Sequence, residues 1–372
     1  MYRNDKRVVM TLDAGGTNFV FSAIRGYEEV LPAFTLPSHA DNLELCLATL
    51  SEGFRRLAGE LQAAGETAVA ISFAFPGPAD FQKGIIMDLN NLPAFRGGVP
   101  LKAYLEEQFH LPVFINNDAD LFTYGECIAG ALPQVNAKLA ALGCQKQFHN
   151  LIGFTFGTGL GCGITRNHEL YIGDNSSAGE IIMLRHKHYR DIIVEDGVSI
   201  RAVKRVYHEH CDDSRDLTPY DIYRIAKGEA SGSREAALKS FAEFGEIAGD
   251  AIAQASTLLD GLIVLGGGLC GSKEFFLPAM LKELNGQNMS DLEGRRKDRL
   301  ESKVYPLDDE AGLQAFCRVK TKRLPVPGSQ RTVDFDPVKR LGLVFSKLGT
   351  SKATSIGAYA FALHTLDQSR DK

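Results

Sequence analysis

Short runs of apolar residues, rich in β-branched side chains, alternate along this chain with longer segments that have helical character. The short runs are typical of buried strands. They include residues 8–12, 67–75 and 111–115. In the longer segments, apolar residues recur every three or four positions or good helix formers dominate, which predicts helices that bury one face. These segments are residues 42–61, 101–109, 121–128 and 229–260. The alternation of strands and helices predicts an α/β fold.

The first strand runs into a glycine-rich turn, Asp13-Ala14-Gly15-Gly16-Thr17-Asn18, and residues 19–24 after it are again β-prone. The pattern therefore predicts a hairpin of two strands joined by this turn. It excludes the two common phosphate motifs in which a glycine-rich loop opens a helix, G-x-G-x-x-G and G-x-x-x-x-G-K-[ST].

This turn has the residue types of a phosphate site. Gly15 and Gly16 let backbone N–H groups approach an anion closely, and Thr17 and Asn18 add short hydrogen-bonding side chains. Asp13 is compatible with a neighbouring phosphate mainly when a divalent cation lies between them, because two bare anions repel each other. An ordinary tight hairpin turn is the alternative interpretation.

A second hairpin of the same kind follows much later in the chain. The apolar residues 151–156 meet the turn Gly157-Thr158-Gly159, and residues 160–164 continue as an apolar strand. Two related hairpins, far apart in sequence, suggest duplicated half-domains that hold one nucleotide between them. A third glycine cluster, Gly266-Gly267-Gly268, ends a buried strand. It suits a flat group such as adenine, although a plain tight turn explains it as well.

Two polar segments are candidates for substrate contacts. Asp118 follows a strand, where α/β folds place ligands, and could act there as a general base. The alternative is structural, because Asn117 or Asp118 could simply cap the helix that follows. The loop of residues 90–95 carries two amides, including Asn91, and an aromatic ring, which suits a polyhydroxylated ligand.

Composition limits the class of protein. The 372 residues suffice for two domains, and the net charge of −5 provides no broad basic field for nucleic acid or an acidic membrane. No apolar stretch has the length of a membrane span, and residues 1–7 lead straight into a strand rather than a signal peptide. We therefore expect a cytoplasmic protein with no nucleic-acid and no membrane partner.

Two further sequence features bear on metals and exposure. The seven cysteines are scattered without a C-x-x-C pair, so we expect neither a disulfide framework nor a cysteine metal site. Residues 294–340 contain more basic than acidic side chains and four prolines. This composition predicts an exposed insertion, with some strand near residues 332–335.

The order of these motifs resembles the ROK family, which comprises sugar kinases and related repressors of the actin-like ATPase superfamily. Each motif is weak alone, but the ordered set is specific and extends over residues 8–363. The matching stretches are Asp13 to Thr17, Pro76 to Asp80, Asn91 to Pro93, Asn117-Asp118, Gly157 to Gly159, Ala178 to Glu180, Gly266 to Gly268 and Ile356 to Ala358.

The resemblance implies two RNase H-like domains of the actin and hexokinase type, with a hinge cleft between them. The first domain would comprise residues 1–118 joined by a C-terminal helix at about 356–372, and the second residues 119–355, with the insertion at 294–340. The implied activity is ATP-dependent phosphorylation of a hexose or an N-acylhexosamine. The resemblance also suggests a homodimer.

The resemblance further assigns roles to single residues. Asp118 would be the general base on the sugar hydroxyl, and Asp13 would position Mg²⁺ with ATP. The two glycine turns, together with Gly266, Gly267 and Gly268, would bind the nucleotide. The sugar would be held by Asn91, Asn117, Asp118, Glu180 and Glu195.

This chain departs from the family pattern after Glu180. The family usually has Gly-His after the Ala-Gly-Glu-Ile stretch, where the histidine contacts both the sugar and a structural zinc; here Ile182-Met183 stands instead. The zinc-binding cysteine motif is also missing. His186 and His188 alone make a poor zinc site, so we expect no structural zinc.

Two alternatives to a kinase belong to other functional classes. A sugar-responsive repressor of the same family would carry an added helix-turn-helix domain, whereas here the first strand begins by Arg7, so we expect no such domain. A catalytically weak sugar sensor or regulator without a DNA-binding domain is the second alternative. The Ile182-Met183 replacement is its main support.

Overall fold

The structure is a computed structural model, and it describes residues 1–370. Its strands are β1 (Val8–Ala14), β2 (Asn18–Arg25), β3 (Glu28–Glu29), β4 (Phe34–Pro37), β5 (Ala68–Ala74), β6 (Ala79–Asp80), β7 (Ile85–Ile86), β8 (Val99–Pro100), β9 (Val113–Asn116), β10 (Leu151–Phe156), β11 (Leu160–Arg166), β12 (Glu169–Leu170), β13 (Leu262–Gly266), β14 (Met289–Ser290), β15 (Arg296–Lys297), β16 (Lys303–Pro306), β17 (Lys322–Pro325), β18 (Thr332–Phe335) and β19 (Arg340–Phe345). Its helices are α1 (Leu43–Ala63), α2 (Leu101–Phe109), α3 (Asp118–Ile128), α4 (Ala131–Ala141), α5 (Ile200–Glu209), α6 (Pro219–Lys227), α7 (Arg234–Leu259), α8 (Lys273–Asn285), α9 (Glu310–Cys317) and α10 (Thr350–Arg370).

The chain forms two compact units. The first unit comprises Met1–Pro133, Gly163–Gly179 and the residues from Lys347 onward, and the second comprises Gln134–Cys162 and Glu180–Ser346. The first unit is thus assembled from three separate stretches of the chain. The domain borders expected from the family resemblance stay a prediction, and residues 371 and 372 of the expected C-terminal helix lie outside the described residues.

A six-stranded sheet forms the centre of the first unit. Its order is β3-β2-β1-β5-β9, and β4 pairs with β2. The hairpin strands β1 and β2 are antiparallel, whereas β5 and β9 run parallel to β1. Helix α1 covers one face through apolar residues spaced three and four apart. Its Phe54 lies edge-on against Phe21 of β2, with ring centroids 5.2 Å apart.

Helices α3 and α10 cover the other face of this sheet. Ile356, Tyr359 and Leu363 of α10 are buried together with Val9 of β1 and Ala70 of β5. The two helices approach each other through glycines, since a Cβ at Gly125 of α3 would lie 1.9 Å from the carbonyl oxygen of Ala353. This close approach explains why small residues dominate α10.

The second six-stranded sheet has the order β12-β11-β10-β13-β19-β16. Strands β10, β13, β19 and β16 are parallel. Helices α7 and α8 pack on this sheet through aromatic side chains. Phe156 of β10 lies against Phe244 of α7 and Phe276 of α8, with ring centroids 5.3 and 6.2 Å apart. The second unit therefore repeats the plan of the first, a hairpin followed by parallel strands.

The predicted α/β fold is confirmed, and so are the helices named from periodicity, with shifts at their ends. Helix α2 has the predicted bounds. Helix α7 begins at Arg234 rather than at residue 229, because the Ser233 side chain accepts the N–H of Ala236 and so caps the helix there. Both predicted strand-turn-strand hairpins are present as β1–β2 and β10–β11.

The predicted exposure of residues 294–340 is correct for one part and wrong for another. Strands β17 and β18 form an exposed hairpin, which confirms the strand at 332–335. However, Val304, Leu307 and Phe316 are buried, and β16 is an edge strand of the second sheet. Composition over the whole segment hides this short apolar strand, because charged residues and prolines surround it. Whether the segment is an insertion relative to its relatives stays a prediction.

No helix among residues 1–370 has a long enough apolar stretch to cross a membrane. The expected cytoplasmic location stays a prediction.

Candidate functional site

The first glycine turn is held closed by backbone and side-chain hydrogen bonds. The N–H of Gly15 donates to the carbonyl of Asn18 at 3.0 Å, and the Ser38 hydroxyl donates to the carbonyl of Gly16 at 2.6 Å. The side chains of Asp13, Thr17 and Asn18 are exposed. The turn is therefore rigid, while its polar side chains remain open to a ligand.

The loop that carries Asn91 lies directly against this turn. A Cβ at Gly16 would lie only 2.8 Å from the carbonyl oxygen of Asn91, so only glycine allows the two backbones to approach this closely. The Asn91 side chain itself is exposed. The structure thus brings the predicted sugar-contacting loop next to the predicted phosphate turn.

Strand register brings the candidate base to the same edge of the sheet. Asp13 on β1 pairs with Ala74 on β5, and Ala74 pairs with Asn116 at the end of β9. Asp118 begins helix α3 two residues later. The carboxyl ends of these parallel strands therefore place Asp118 beside the glycine turn, as expected for α/β sheets.

The structural role considered for Asn117 and Asp118 is also present. Asn117 is the N-cap residue of α3, and its Oδ1 accepts the N–H of Ala119 at 2.8 Å. Oδ1 of Asp118 accepts the same N–H at 2.8 Å. Capping and catalysis are compatible here, because the cap uses only one oxygen of the Asp118 carboxylate.

The electrostatic environment makes Asp118 a stronger base than an ordinary aspartate. Partial loss of hydration raises the pKa of its carboxyl group, and the negative charge of Asp13 adds to the rise. The hydrogen bonds from backbone N–H groups, chiefly that of Ala119, act in the opposite direction. Solvent still reaches the side chain, so some hydration remains and limits the rise.

The second glycine turn has a similar internal hydrogen bond and one additional backbone hydrogen bond. The N–H of Gly157 donates to the carbonyl of Gly159 at 3.0 Å, and the N–H of Ile200 donates to the carbonyl of Gly157 at 2.9 Å. Thr158, between the glycines, is exposed. The turn is thus tied to the N-terminus of helix α5.

Glu195 lies against this second turn. Its Oε2 accepts the N–H of Leu160 at 3.2 Å, and its Oε1 accepts a hydrogen bond from Arg201 at 3.2 Å. A Cβ at Gly159 would lie 2.4 Å from Oε2. The predicted sugar-contacting carboxylate and the predicted phosphate turn are therefore neighbours. The sequence gives no signal for this contact, because the two segments are 35 residues apart.

The glycines after β13 lie beside the second turn, on the adjacent strand. Thr155 of β10 pairs with Gly266 at the end of β13. Gly267 has φ +93°, and a Cβ there would lie 2.3 Å from the carbonyl oxygen of Phe156. Glycine is required at this position for packing alone, so the plain structural explanation for Gly267 holds whether or not a ligand binds there. Gly268 is exposed.

Glu180 and Glu195 belong to two short 3-10 turns that lie against each other. Glu180 precedes the turn Ile181–Met183, and Glu195 lies in the turn Val194–Asp196. The chain between them folds back on itself, with the N–H of Val194 donating to the carbonyl of Leu184 at 2.8 Å. The exposed Glu180 side chain therefore belongs to the same local substructure as Glu195.

Lys187 anchors this substructure to the helices below it. Its ammonium group lies 2.5 Å from Glu246 of α7 and 2.6 Å from Glu283 of α8. The sequence did not single out Lys187, because its partners are distant in the chain.

Burial lowers the pKa of the neighbouring His186, whose Nδ1 accepts the N–H of His188. Within residues 1–370, no three His, Cys, Asp or Glu side chains form a group that could hold a metal ion.

Comparisons with known proteins agree with this architecture. The family model described as "ROK family" matches residues 9–314. A glucokinase from Halalkalibacterium halodurans is 30% identical over 172 residues, which are 46% of this chain and 47% of that protein. An N-acetyl-D-glucosamine kinase from Vibrio parahaemolyticus is 28% identical over 169 residues, 45% of this chain and 50% of that protein. The match thus spans about half the length of these curated relatives.

A solved structure gives a match over nearly the whole chain. The glucokinase from Parabacteroides distasonis superposes with a TM-score of 0.86 and is 50% identical. The match covers 98% of this chain and 99% of that one. On the family model and on this full-length similarity, the chain belongs to the ROK family.

Proposed function

We propose that this protein transfers the γ-phosphoryl group of ATP to a hydroxyl group of a hexose or an N-acylhexosamine. The observation that carries the proposal is the solvent-accessible carboxyl of Asp118, which has a raised pKa and shares one sheet edge with the first glycine turn. The similarity to a glucokinase and an N-acetyl-D-glucosamine kinase supports this substrate class.

In this mechanism Asp118 is the general base. The sugar hydroxyl gives its proton to the Asp118 carboxylate as its oxygen bonds to the γ-phosphorus, and the bond from that phosphorus to the departing ADP oxygen breaks. A carboxylate with a raised pKa accepts this proton more readily than an ordinary aspartate. Phosphoryl transfer otherwise requires positioning and charge neutralisation more than covalent chemistry.

The glycine turns supply the groups that a nucleotide needs. The Gly15-Gly16 turn and the Gly157-Thr158-Gly159 turn would contact phosphate oxygens through backbone N–H groups other than those of Gly15 and Gly157, which close the turns. Mg²⁺ is usually held by one or two carboxylates and by substrate phosphates. The exposed Asp13 is the carboxylate placed for that role, and bound Mg²⁺ would neutralise phosphate charge. Gly266 to Gly268 would lie near the adenosine.

The sugar would be held by amide and carboxylate side chains, namely Asn91, Asn117, Asp118, Glu180 and Glu195. The cap formed by Asn117 uses only its Oδ1, so the Nδ2 donor is not needed there. Glu195 already accepts the N–H of Leu160, and it would link a sugar hydroxyl to the phosphate turn.

The domain borders and the assembly belong to the same proposal. The first domain comprises residues 1–118 and the helix from about residue 356, and the second comprises residues 119–355. A homodimer is expected from the family resemblance alone.

The test is ADP release by the purified protein with Mg-ATP and one of six sugars: glucose, fructose, mannose, allose, N-acetylglucosamine or N-acetylmannosamine. We expect one of them to stimulate turnover. Asp118→Asn should lower kcat about 10² to 10⁴-fold, the usual contribution of a general base, while sugar binding persists. Asp41→Asn, which changes an exposed carboxylate in the same unit, is the matched control and should leave kcat unchanged.

A sugar sensor is the second candidate, and one observation favours it. Ile182 and Met183 replace the family's Gly-His, and Met183 is 70% exposed at the turn after Glu180. A sensor would show a sugar-dependent rise in Tm without stimulated ADP release, and Asp118→Asn would change neither. That outcome would reject the kinase mechanism.

A further inference from the structure

A cavity of about 230 Å³ lies in the first unit beside the strand that leads to Asp118. Aromatic rings and polar side chains from separate parts of the chain line it. They include Phe81, Lys102, Phe114, Asn116, Ser176 and Phe361. The proposed phosphoryl transfer uses none of these residues, so the cavity needs an explanation of its own.

Two polar groups in the cavity wall lack hydrogen-bond partners. Asn116 is only 2% exposed; its Oδ1 accepts the N–H of Asn117 at 2.8 Å, but its Nδ2 donor has no partner among the described residues. The buried hydroxyl of Ser176 is also unpartnered, and its backbone is held at φ +52°. Leaving a buried polar group without a hydrogen-bond partner is energetically unfavourable. The wall is therefore suited to a molecule that supplies hydrogen-bonding atoms.

The charge at the cavity is positive. The ammonium group of Lys102 lies 6.0 Å from the centre of the Phe114 ring. The carboxylate of Glu106 is 4.0 Å from this ammonium group, at the limit of an ion pair. Among the residues that line the cavity, none is an aspartate or a glutamate. A negatively charged ligand would thus gain from Lys102 without repulsion from the wall.

Apart from Gln82 and Thr365, the remaining wall is apolar and accommodates a ring or an aliphatic body. Phe114 and Phe361 lie edge to face, with centroids 6.3 Å apart and planes at 88°. The volume equals that of about eight molecules of liquid water, which is enough for a single ring with a carboxylate.

We propose that this cavity binds a small organic carboxylate with an apolar body. The carboxylate accepts hydrogen bonds from the Asn116 amide and the Ser176 hydroxyl and interacts with the Lys102 ammonium group, while the apolar body packs among the phenylalanine rings. Asn116 immediately precedes Asn117 and Asp118, and Ser176 precedes Glu180 by four residues. A bound carboxylate therefore holds together two segments that lead to proposed site residues.

Benzoate is the probe for this proposal, and benzamide is its neutral counterpart. Binding to the full chain is measured by saturation-transfer NMR and by calorimetry, without ATP or sugar, so the result does not depend on the proposed kinase activity. We expect benzoate to bind and benzamide to bind more weakly, because only benzoate gains from the Lys102 charge.

Three variants identify the site. Lys102→Met removes the charge and keeps the apolar stem, and it should weaken benzoate binding about tenfold, as expected for loss of one charge-assisted contact. Lys83→Met, at an exposed lysine outside the cavity wall, is the matched control and should leave the affinity unchanged. Asn116→Asp keeps the acceptor for Asn117 but places a negative charge in the wall, and it should abolish binding.

Two results of the binding measurements would overturn the proposal. One is the absence of benzoate binding up to its solubility limit. The other is binding that Lys102→Met and Asn116→Asp both leave unchanged while Tm shows that these variants are folded. A crystal structure grown with benzoate in which only ordered water contacts Asn116 and Ser176 would likewise assign the cavity to solvent.

Discussion

Asp118 caps a helix and is the proposed general base, and these two roles draw on different parts of one side chain. Its Oδ1 shares the Ala119 N–H with Asn117 and so fixes the carboxylate at the start of α3. The nearby charge of Asp13 and the reduced hydration raise its pKa. The hydrogen bond therefore orients the proposed base, and its surroundings strengthen it.

This raised pKa predicts the pH dependence of catalysis. The base acts only when it is deprotonated, so kcat/KM falls as pH decreases through the pKa of Asp118. Because that pKa is raised, the fall should occur above pH 3.8, the ordinary value for aspartate. A pH profile of kcat/KM measures it.

Asp13→Asn provides the internal check on that profile. It removes the charge that contributes to the rise, so the acid limb should move to lower pH even though overall activity decreases. A limb that stays in place after this substitution would contradict the assigned cause.

At the scale of single residues, the sequence predicted those candidate site residues that lie next to one another in the chain. The turn residues from Asp13 to Asn18 and the pair Asn117-Asp118 stand out because glycines and polar residues follow a strand directly. Contacts made across long sequence separations were missed. Neither the hydrogen bond from Leu160 to Glu195 nor the ion pairs of Lys187 has a local pattern, since each depends on how distant segments meet.

At the scale of elements, the contact between α3 and α10 depends on glycine. A Cβ at Gly125 would lie 1.9 Å from the carbonyl oxygen of Ala353, and a Cβ at Gly357 would lie 1.9 Å from the carbonyl oxygen of Leu121. At each of these glycines, the backbone of the other helix occupies the space that a side chain would need. Rotating a side chain could therefore not relieve the clash that an added Cβ would cause.

This contact predicts a large effect from one methyl group. Gly125→Ala should lower the free energy of unfolding by about 3 kcal/mol, because the two helices must separate or shift. Gly59→Ala is the matched control, since this exposed helical glycine has no atom within 4 Å of the added Cβ. It should stabilise the protein by about 0.5–1 kcal/mol through helix propensity. Urea denaturation of the three proteins measures both changes, and equal stability of the two variants would refute the explanation.

Periodicity predicted helices well where one face is apolar and failed where a short strand is surrounded by charges. Helix α2 has the predicted bounds. By contrast, β16 and the buried Phe316 lie within a segment of basic residues and prolines, and composition predicted exposure there. Averaging the composition over a long window hides a four-residue edge strand such as β16, in which only Val304 is fully buried.

At the scale of the whole molecule, one arginine joins distant parts of the first unit. The guanidinium of Arg7 donates to Asp5 at 2.7 Å and to Asp367, in helix α10, at 2.6 Å. Arg7 lowers the pKa of both carboxyl groups. Since the folded-state pKa values are depressed, this stabilisation is present above the ordinary carboxyl pKa of 3.8 and is lost as pH falls below it.

Replacing this arginine should therefore have a pH-dependent effect. Arg7→Met should lower the free energy of unfolding at neutral pH by about 1 kcal/mol, and the difference from the wild type should shrink as the pH decreases below about 4. Arg323→Met removes an exposed pair with Asp334 and should cost only a few tenths of a kcal/mol. Thermal unfolding at several pH values provides the comparison. A difference that is independent of pH would show that lost packing, not charge, causes the effect.

The repeated hairpins predicted a duplicated architecture because each hairpin is visible within about 20 residues of sequence. The residues themselves did not predict that two later segments of the chain return to the first unit. Gly163–Gly179 and the segment from Lys347 onward lack any marker that distinguishes them from the second unit.

Because the first unit is built from three separate stretches of the chain, the ribosome synthesises its parts at different times. The sheet of the first unit and α1 are synthesised early, whereas α10, which buries Val9 and Ala70, begins only at Thr350. The ribosome adds about 5–20 residues per second, so the roughly 200 residues between Pro133 and Thr350 take about 10–40 s. Throughout that interval one face of the nascent sheet lacks α10, one of its two covering helices, and a chaperone that shields apolar surface can act there.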